Sequence, residues 1–191
     1  MKMLRSWLNQ YGNHLDENKE IHPESTYLAQ RMTPKVALRE ADVIVELRPG
    51  TTGCTEEIIR KMRKDATLVL IETDSTVVHF LKERYGSFKR IKIVETDTIH
   101  LKEALRMLKI EQVDLIISGF PFARLDAIKT MMLLTEIKTA LSDTGMFVTA
   151  QYTKLRKPNL EKVFSRVKDQ QEFRNVPPAY LFYCMNEGGI V

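Results

Sequence analysis

Two acidic side chains stand at or just beyond the ends of apolar runs, where a carboxylate can hold a polar ligand. Glu72 ends ATLVLIE (66–72), and Asp97 follows RIKIVE (90–95) by two residues. Glu72 lies 22 positions after Gly50 in the turn ELRPGTTGCTEEI (46–58). A carboxylate at that spacing can accept both hydrogen bonds of a ribose diol. Asp74, two residues on, reads more simply as a solvated acid. Asp97 either meets an adenine amino group or caps a helix beginning near Ile99. Pro49, Gly50 and Gly53 turn the chain sharply before a helix predicted from about Thr55, whose free N–H groups would face an anionic or polar ligand.

A fourth apolar run ends in SGFPFARLD (118–126), where Phe120 and Phe122 flank Pro121 in a loop that should be polar. The two rings read either as plugs beneath the next helix or as walls of a substrate pocket. In a pocket, the carbonyls of Ser118 and Gly119 would accept hydrogen bonds from an amine. Cys54 and Cys184 stand 130 positions apart with no CxxC pair and no histidine cluster, which argues against a metal site and against a disulfide framework. A reducing, cytoplasmic setting is the expectation, since MKMLRSWLNQYGNHL (1–15) is too short and too polar for a secretory segment and no run reaches 18 apolar residues.

The elements that must position these residues follow from the alternation. Near-continuous apolar runs at 42–47, 66–72, 90–95, 113–119, 145–151 and 180–185 are predicted strands. Between them, three- and four-residue apolar spacing predicts helices near 55–64, 75–85, 100–109, 125–141 and 159–168. This pattern implies a doubly wound α/β sheet of mostly parallel strands covered on both faces. QQEFRNVPPAYLFYCMN (170–186) places two strand-like runs around Pro177 and Pro178 with no helix between, so an antiparallel hairpin is expected at the sheet edge. Residues 1–40 are helical in pieces, with Glu24, Ser25 and Thr26 able to cap a helix to about Met32 that Pro34 closes. The 191 residues thus form one domain: an N-terminal helical cap over 1–40 and an α/β core over 41–191. In such a sheet the ligand sits beyond the strands' carboxyl ends, where strand order reverses.

Net charge is +4, divided as +1 over 1–40, 0 over 41–150 and +3 over 151–191. The basic C-terminal excess, with Lys154, Arg156 and Lys157, permits an anionic membrane surface or RNA as partner, against the plainer reading of a solvated face. Met3, Leu4, Trp7, Leu8 and Tyr11 share one helical side near Lys2 and Arg5, as in a helix lying at a membrane interface or packed over a ligand pocket.

Taken together, VIVELRPGTTGCT, LVLIETD, VETDTIHL and IISGFPF resemble the class I S-adenosylmethionine-dependent methyltransferases. The chain is most similar to the bacterial phospholipid N-methyltransferases, relatives of the rRNA adenine dimethyltransferases. HPESTYLAQRM (22–32), QYT (151–153) and NVPPAYLFYC (175–184) extend the resemblance to the phospholipid branch over about residues 20–186. Adenine dimethylases usually carry an Asn-Leu-Pro-Tyr type sequence after the fourth strand; Ser-Gly-Phe-Pro-Phe stands here.

The resemblance implies a seven-stranded Rossmann-like fold that binds S-adenosylmethionine and releases S-adenosylhomocysteine. It implies that Glu46, Gly50, Thr51 and Gly53 hold the methionine part, Glu72 the ribose and Asp97 the adenine. Ser118, Phe120, Pro121 and Phe122 would face the transferred methyl, and Ser25 and Tyr27 would close over the cofactor. The expected reaction is N-methylation of a phospholipid headgroup amine, by a cytoplasmic protein peripheral to the membrane. No metal is required, and Tyr152 and Tyr180 are the candidates for a base. RNA is the less favoured acceptor, given the strand-four loop, the absence of a basic RNA-binding domain and the small net charge. The chain departs from the pattern Glu-Leu-Gly-Pro-Gly-Thr-Gly by placing Arg48 and Thr52 at two of its glycines. A side chain at a left-handed position costs about 1 kcal/mol or more, which opens a third reading, a cofactor-binding protein with a degenerate loop and little turnover.

Overall fold

The computed structural model describes residues 26–50 and 53–186. Seven strands form one sheet: β1 (Val43–Leu47), β2 (Thr67–Glu72), β3 (Ile91–Glu95), β4 (Val113–Ser118), β5 (Leu141–Gln151), β6 (Arg166–Glu172) and β7 (Ala179–Met185). Their order is β3-β2-β1-β4-β5-β7-β6. The first five pair in parallel, and β7 runs antiparallel to both β5 and β6, the expected C-terminal edge hairpin. Strand order reverses between β1 and β4, so the carboxyl ends of these two strands flank the crevice in which such folds bind ligands.

The helices are α1 (Thr26–Met32), α2 (Lys35–Glu40), α3 (Gly53–Lys61), α4 (Ser75–Tyr85), α5 (Leu101–Met107), α6 (Ala127–Ala140) and α7 (Lys157–Val163). Because side chains alternate along a strand, each buried strand feeds two core layers. Ile44, Leu68, Leu70, Leu115 and Ile117 pack with Leu28, Met32, Leu38, Ile58 and Leu81 of α1 to α4. Val45, Leu47, Val69, Ile71 and Ile116 pack on the other face with Leu101, Leu105, Leu133, Ile137 and Leu160 of α5 to α7. Strands covered on both faces are what the unbroken apolar runs require.

Two elements differ from the sequence reading. The helix expected over 159–168 ends at Val163, and Arg166–Glu172 forms β6. Leu160, Val163, Phe164 and Val167 mimic helical spacing, whereas β6 is an edge strand whose polar, charged side chains carry little apolar signal. The fifth strand begins at Leu141 rather than near Gly145, because its pairing with β4 shifts register between Val113 and Leu115. Gly145 sits in that irregularity: a Cβ there would stand 3.0 Å from Leu141 Cδ2, Ser142 O and Val113 O.

The carboxyl end of β6 is tied down by Glu172. Its buried carboxylate accepts from Arg174 Nε at 2.9 Å, Nη2 at 3.0 Å and backbone N–H at 2.9 Å. The Arg174 guanidinium, with that backbone hydrogen bond, holds the Glu172 carboxyl down from 4.5 to about 2. A carboxyl lowered in the folded state adds stability above its unfolded pKa and loses it as pH falls through the folded one. Stability is therefore expected to decline between pH 4.5 and about 2. Urea unfolding across that range should show a smaller acid-dependent decline in Glu172→Gln than in the native chain.

Candidate functional site

Strand parity places Glu46 and Glu72 on one face. Glu46 shares the side of Ile44, and Glu72 the side of Leu68 and Leu70, so both meet the α1 to α4 layer at the carboxyl end of the sheet. Both are almost fully buried, at 3% and 2% exposure. A buried carboxylate needs hydrogen-bond donors. Thr55 Oγ1 of α3 donates to Glu46 Oε2 at 2.7 Å. Glu72 Oε1 accepts from the backbone N–H groups of Thr73 at 2.7 Å and Asp74 at 3.1 Å, and Oε2 accepts from Gly50 N–H at 3.3 Å. The turn after β1 is thus fastened to the end of β2, at the spacing noted in the sequence.

Gly50 adopts φ 57°, the left-handed conformation that favours glycine. Gly53 opens α3, and a Cβ there would meet no atom within 4 Å, so the turn leaves room at the helix N-terminus. The two buried carboxylates, the left-handed Gly50 and this open space fit the nucleoside and amino-acid parts of S-adenosylmethionine. Thr51, Thr52 and Ser25 lie outside the described residues, as does the amphipathic stretch 1–15.

Arg48 is the exception to a glycine turn. It takes φ 56°, the backbone conformation a glycine would adopt freely. Its Nε lies 3.1 Å from Glu72 Oε1, and its guanidinium carbon stands 5.3 Å from the centre of the Phe120 ring. A cation therefore joins the end of β2 to the loop after β4.

In that loop the two aromatic rings touch, with centres 6.2 Å apart, but differ in burial. Phe122 is fully buried and stacks on Phe147 with ring centres 6.2 Å apart. It plugs the core beneath α6 and does not wall a pocket, because nothing of it is left to meet a substrate. Phe120 is half-buried and carries Arg48, and Pro121 precedes a short 3-10 turn over Phe122–Arg124. Ser118 is buried; its hydroxyl donates to Leu47 O at 3.4 Å and accepts from Phe120 N–H at 3.2 Å.

Sequence reasoning missed Gln151 as the clamp of this loop. Its Nε2 donates to Phe120 O at 2.8 Å and Thr149 Oγ1 at 2.9 Å, and its Oε1 accepts from Phe122 N–H at 2.9 Å. An amide at the end of a buried strand, 4% exposed, was the available signal, since such a group must find partners on adjoining loops.

The remaining candidates lie around this centre. Asp97 accepts from Ile99 N–H at 3.2 Å and so caps the 3-10 turn Thr98–His100, just past Glu95, which pairs with Glu72. Asp74 caps α4 through Thr76 and Val77 N–H. Tyr27 is 48% exposed on α1, with the Arg174 guanidinium 4.4 Å from its ring centre. Tyr152 packs at the margin of the α1 to α4 core layer, and Lys154 Nζ lies 4.9 Å from the ring centre of Tyr180. The basic triplet is partly engaged: Lys154 and Lys157 reach Asp169 at 2.6 and 2.7 Å, and Arg156 donates to Leu125 O. Hydrogen bonds from Lys154 and Lys157, helped by their charge, hold the Asp169 carboxyl below its ordinary value.

The family model described as Ribosomal RNA adenine dimethylase matches residues 22–156. An ornithine lipid N-methyltransferase from Singulisphaera acidiphila is 27% identical over 189 residues, covering 96% of each chain. A ribosomal RNA small subunit methyltransferase A from Sulfurihydrogenibium sp. is 30% identical over 73 residues; that match covers 38% of this chain and 28% of the relative. Among solved structures, the N-methyltransferase NodS from Bradyrhizobium japonicum WM9, in complex with S-adenosyl-L-homocysteine, superposes with a TM-score of 0.67 at 13% identity, over 97% of both chains.

Proposed function

We propose that this chain, which belongs to the ribosomal RNA adenine dimethylase family and is an S-adenosylmethionine-dependent methyltransferase, methylates the amine of a lipid headgroup. What carries the lipid reading is the reach of the likeness to the ornithine lipid enzyme, 96% of each chain, against 28% of the ribosomal RNA methyltransferase. Bound S-adenosylmethionine would supply an electrophilic methyl to the neutral form of the acceptor amine.

The chain's own residues bind, orient and exclude water. In this reading Glu72 holds the ribose hydroxyls and Asp97 the adenine edge. Glu46, Gly50 and Gly53 shape the methionine end, with Tyr27 on the covering side. Ser118, Phe120 and Pro121 form the acceptor face, which Gln151 keeps in place from behind. Catalysis in such a site is positioning and desolvation, with the amine held about 3 to 3.5 Å from the methyl and in line with the breaking bond.

The rim supports a membrane-surface substrate. Leu155, Phe173 and Val176 are 63%, 71% and 86% exposed, on the connections that follow the carboxyl ends of β5 and β6. Lys154, Arg156 and Arg174 stand among them, Lys154 and Arg174 each also paired with a carboxylate, Asp169 and Glu172. Apolar tips between cations suit an anionic bilayer interface better than water. Among the described residues no helix is long and apolar enough to cross a membrane.

The test is co-sedimentation with vesicles containing phosphatidylglycerol, followed by methyl transfer to aminolipid in the same vesicles. The native chain is expected to bind and methylate. Leu155→Asp combined with Phe173→Asp should lower the bound fraction at least about tenfold, since each side chain loses part of the 1.5–3 kcal/mol of a buried Leu or Phe. Salt-sensitive binding to structured RNA without vesicle binding would support adenine methylation instead, the acceptor in the family description.

A further inference from the structure

The Arg48 side chain bridges two ends of the site that serve different ligands. It ion-pairs with Glu72, the proposed ribose acid, and lies over Phe120, on the proposed acceptor face. It is 32% exposed and therefore free to exchange partners without unpacking the core.

These two contacts cannot all persist when the site fills. Glu72 Oε1 already accepts from the N–H groups of Thr73 and Asp74, and Oε2 from Gly50. The Thr73 hydroxyl also donates to Oε1, at 3.3 Å, and Arg48 Nε lies 3.1 Å from the same oxygen. A carboxylate offers about four lone-pair sites, so a diol seeking two acceptors must displace donors already there. The backbone N–H groups are fixed by the turn, and the guanidinium is the charged, partly exposed group that can leave. Once displaced, Arg48 remains tethered beside Phe120, where the ring face still attracts it, yet it has lost its counter-charge close to a cationic methyl donor. A guanidinium presents paired donors that match a carboxylate or phosphate.

We infer that Arg48 is an acceptor-binding residue: released from Glu72 by the cofactor's ribose, it takes the oxyanion that a zwitterionic headgroup carries next to its amine. The acceptor's phosphate or carboxylate then completes the site, and cofactor binds before acceptor. This rests on the lipid-amine reading above. The same residue both guards the ribose seat when the site is empty and selects zwitterionic over simple cationic amines when it is loaded.

The test uses the full chain in three forms, native, Arg48→Met and Arg48→Gly. Each is titrated calorimetrically with S-adenosylhomocysteine. Each is then assayed for methyl transfer to phosphatidylethanolamine, to an ornithine lipid and to a long-chain alkylamine, in phosphatidylcholine vesicles at matched surface concentration. The two zwitterions distinguish phosphate from carboxylate as the oxyanion. The native chain should prefer one of them over the alkylamine by about tenfold or more, the size of one charge-assisted hydrogen bond. Both variants should lose most of that preference and bind S-adenosylhomocysteine at least about threefold more tightly, because the competitor for Glu72 is gone. An undiminished preference in both variants overturns the oxyanion contact. Tighter binding in Arg48→Gly alone would trace the gain to relief of the left-handed backbone and overturn the displacement. If the native chain binds S-adenosylhomocysteine but methylates none of the three amines, the lipid reading and the oxyanion contact fall together, while the titration alone decides the displacement.

Discussion

Glu72→Ala is expected to weaken S-adenosylhomocysteine binding by about a hundredfold or more in calorimetric titration. The carboxylate is 2% exposed and held from below by the N–H groups of Thr73 and Asp74, so its remaining acceptor positions are aimed rather than free to rotate. A diol that takes the place of the Arg48 guanidinium and the Thr73 hydroxyl would make two charge-assisted hydrogen bonds, each contributing about 1.5–3 kcal/mol. Losing about 3 kcal/mol in total corresponds to a little over two decades in affinity. Alanine also unfastens Gly50 and leaves Arg48 without its ion pair, so loop disorder could mimic the loss. Glu72→Gln separates the two causes. Its amide retains one neutral acceptor and the shape of the side chain, and should weaken binding by an intermediate factor of about ten. Equal affinity in Glu72→Gln and the native chain would remove Glu72 from the ribose.

What the residues disclosed, and what they withheld, divides along a physical line. The central strands were legible because burial on both faces demands unbroken apolar runs, and α4 was found at its observed bounds, Ser75–Tyr85. Glu72 was legible as a strand-end acid because a carboxylate closing an apolar strand cannot be core filler, whereas Glu46, one residue before the end of its run, stood out only through the family resemblance. The hairpin was foreseen from Gln170 onward, but the first part of β6 was read as helix because its burial is one-sided and slight, so nothing in residues 166–169 separates it from a solvated helix. Gln151 was overlooked as a clamp, since its partners are a carbonyl and an N–H on a loop some thirty residues away and no spacing rule encodes them. Arg48 shows a third case. Its departure from a glycine pattern was visible, and so was the cost of a left-handed side chain, but not that Glu72 and Phe120 would hold the guanidinium between them.

The aromatic pair supplies the second large effect, because two rings two residues apart should respond oppositely to truncation. Phe122→Ala is expected to destabilise the fold by about 3–5 kcal/mol, the usual cost of deleting a buried Phe side chain. The ring is fully buried, and it begins a stack that runs through Phe147 to Phe164, with ring centres 6.2 and 5.9 Å apart. Removing it leaves a cavity that the β-sheet beneath cannot close by shifting, since Phe147 is fixed in β5 by pairing with Ile116 on one side and Cys184 on the other. For a chain of this length the midpoint of thermal unfolding should fall by about 10 °C. Phe120→Ala should cost about 1 kcal/mol or less, because that ring is only half-buried. The backbone clamp is common to both variants, as Gln151 bonds to Phe120 O and Phe122 N–H and not to either ring. Loss of methyl transfer in Phe120→Ala at unchanged melting temperature would therefore place its ring at the acceptor. A large drop in melting temperature there, with Phe122→Ala unaffected, would reverse the assignment of the two rings.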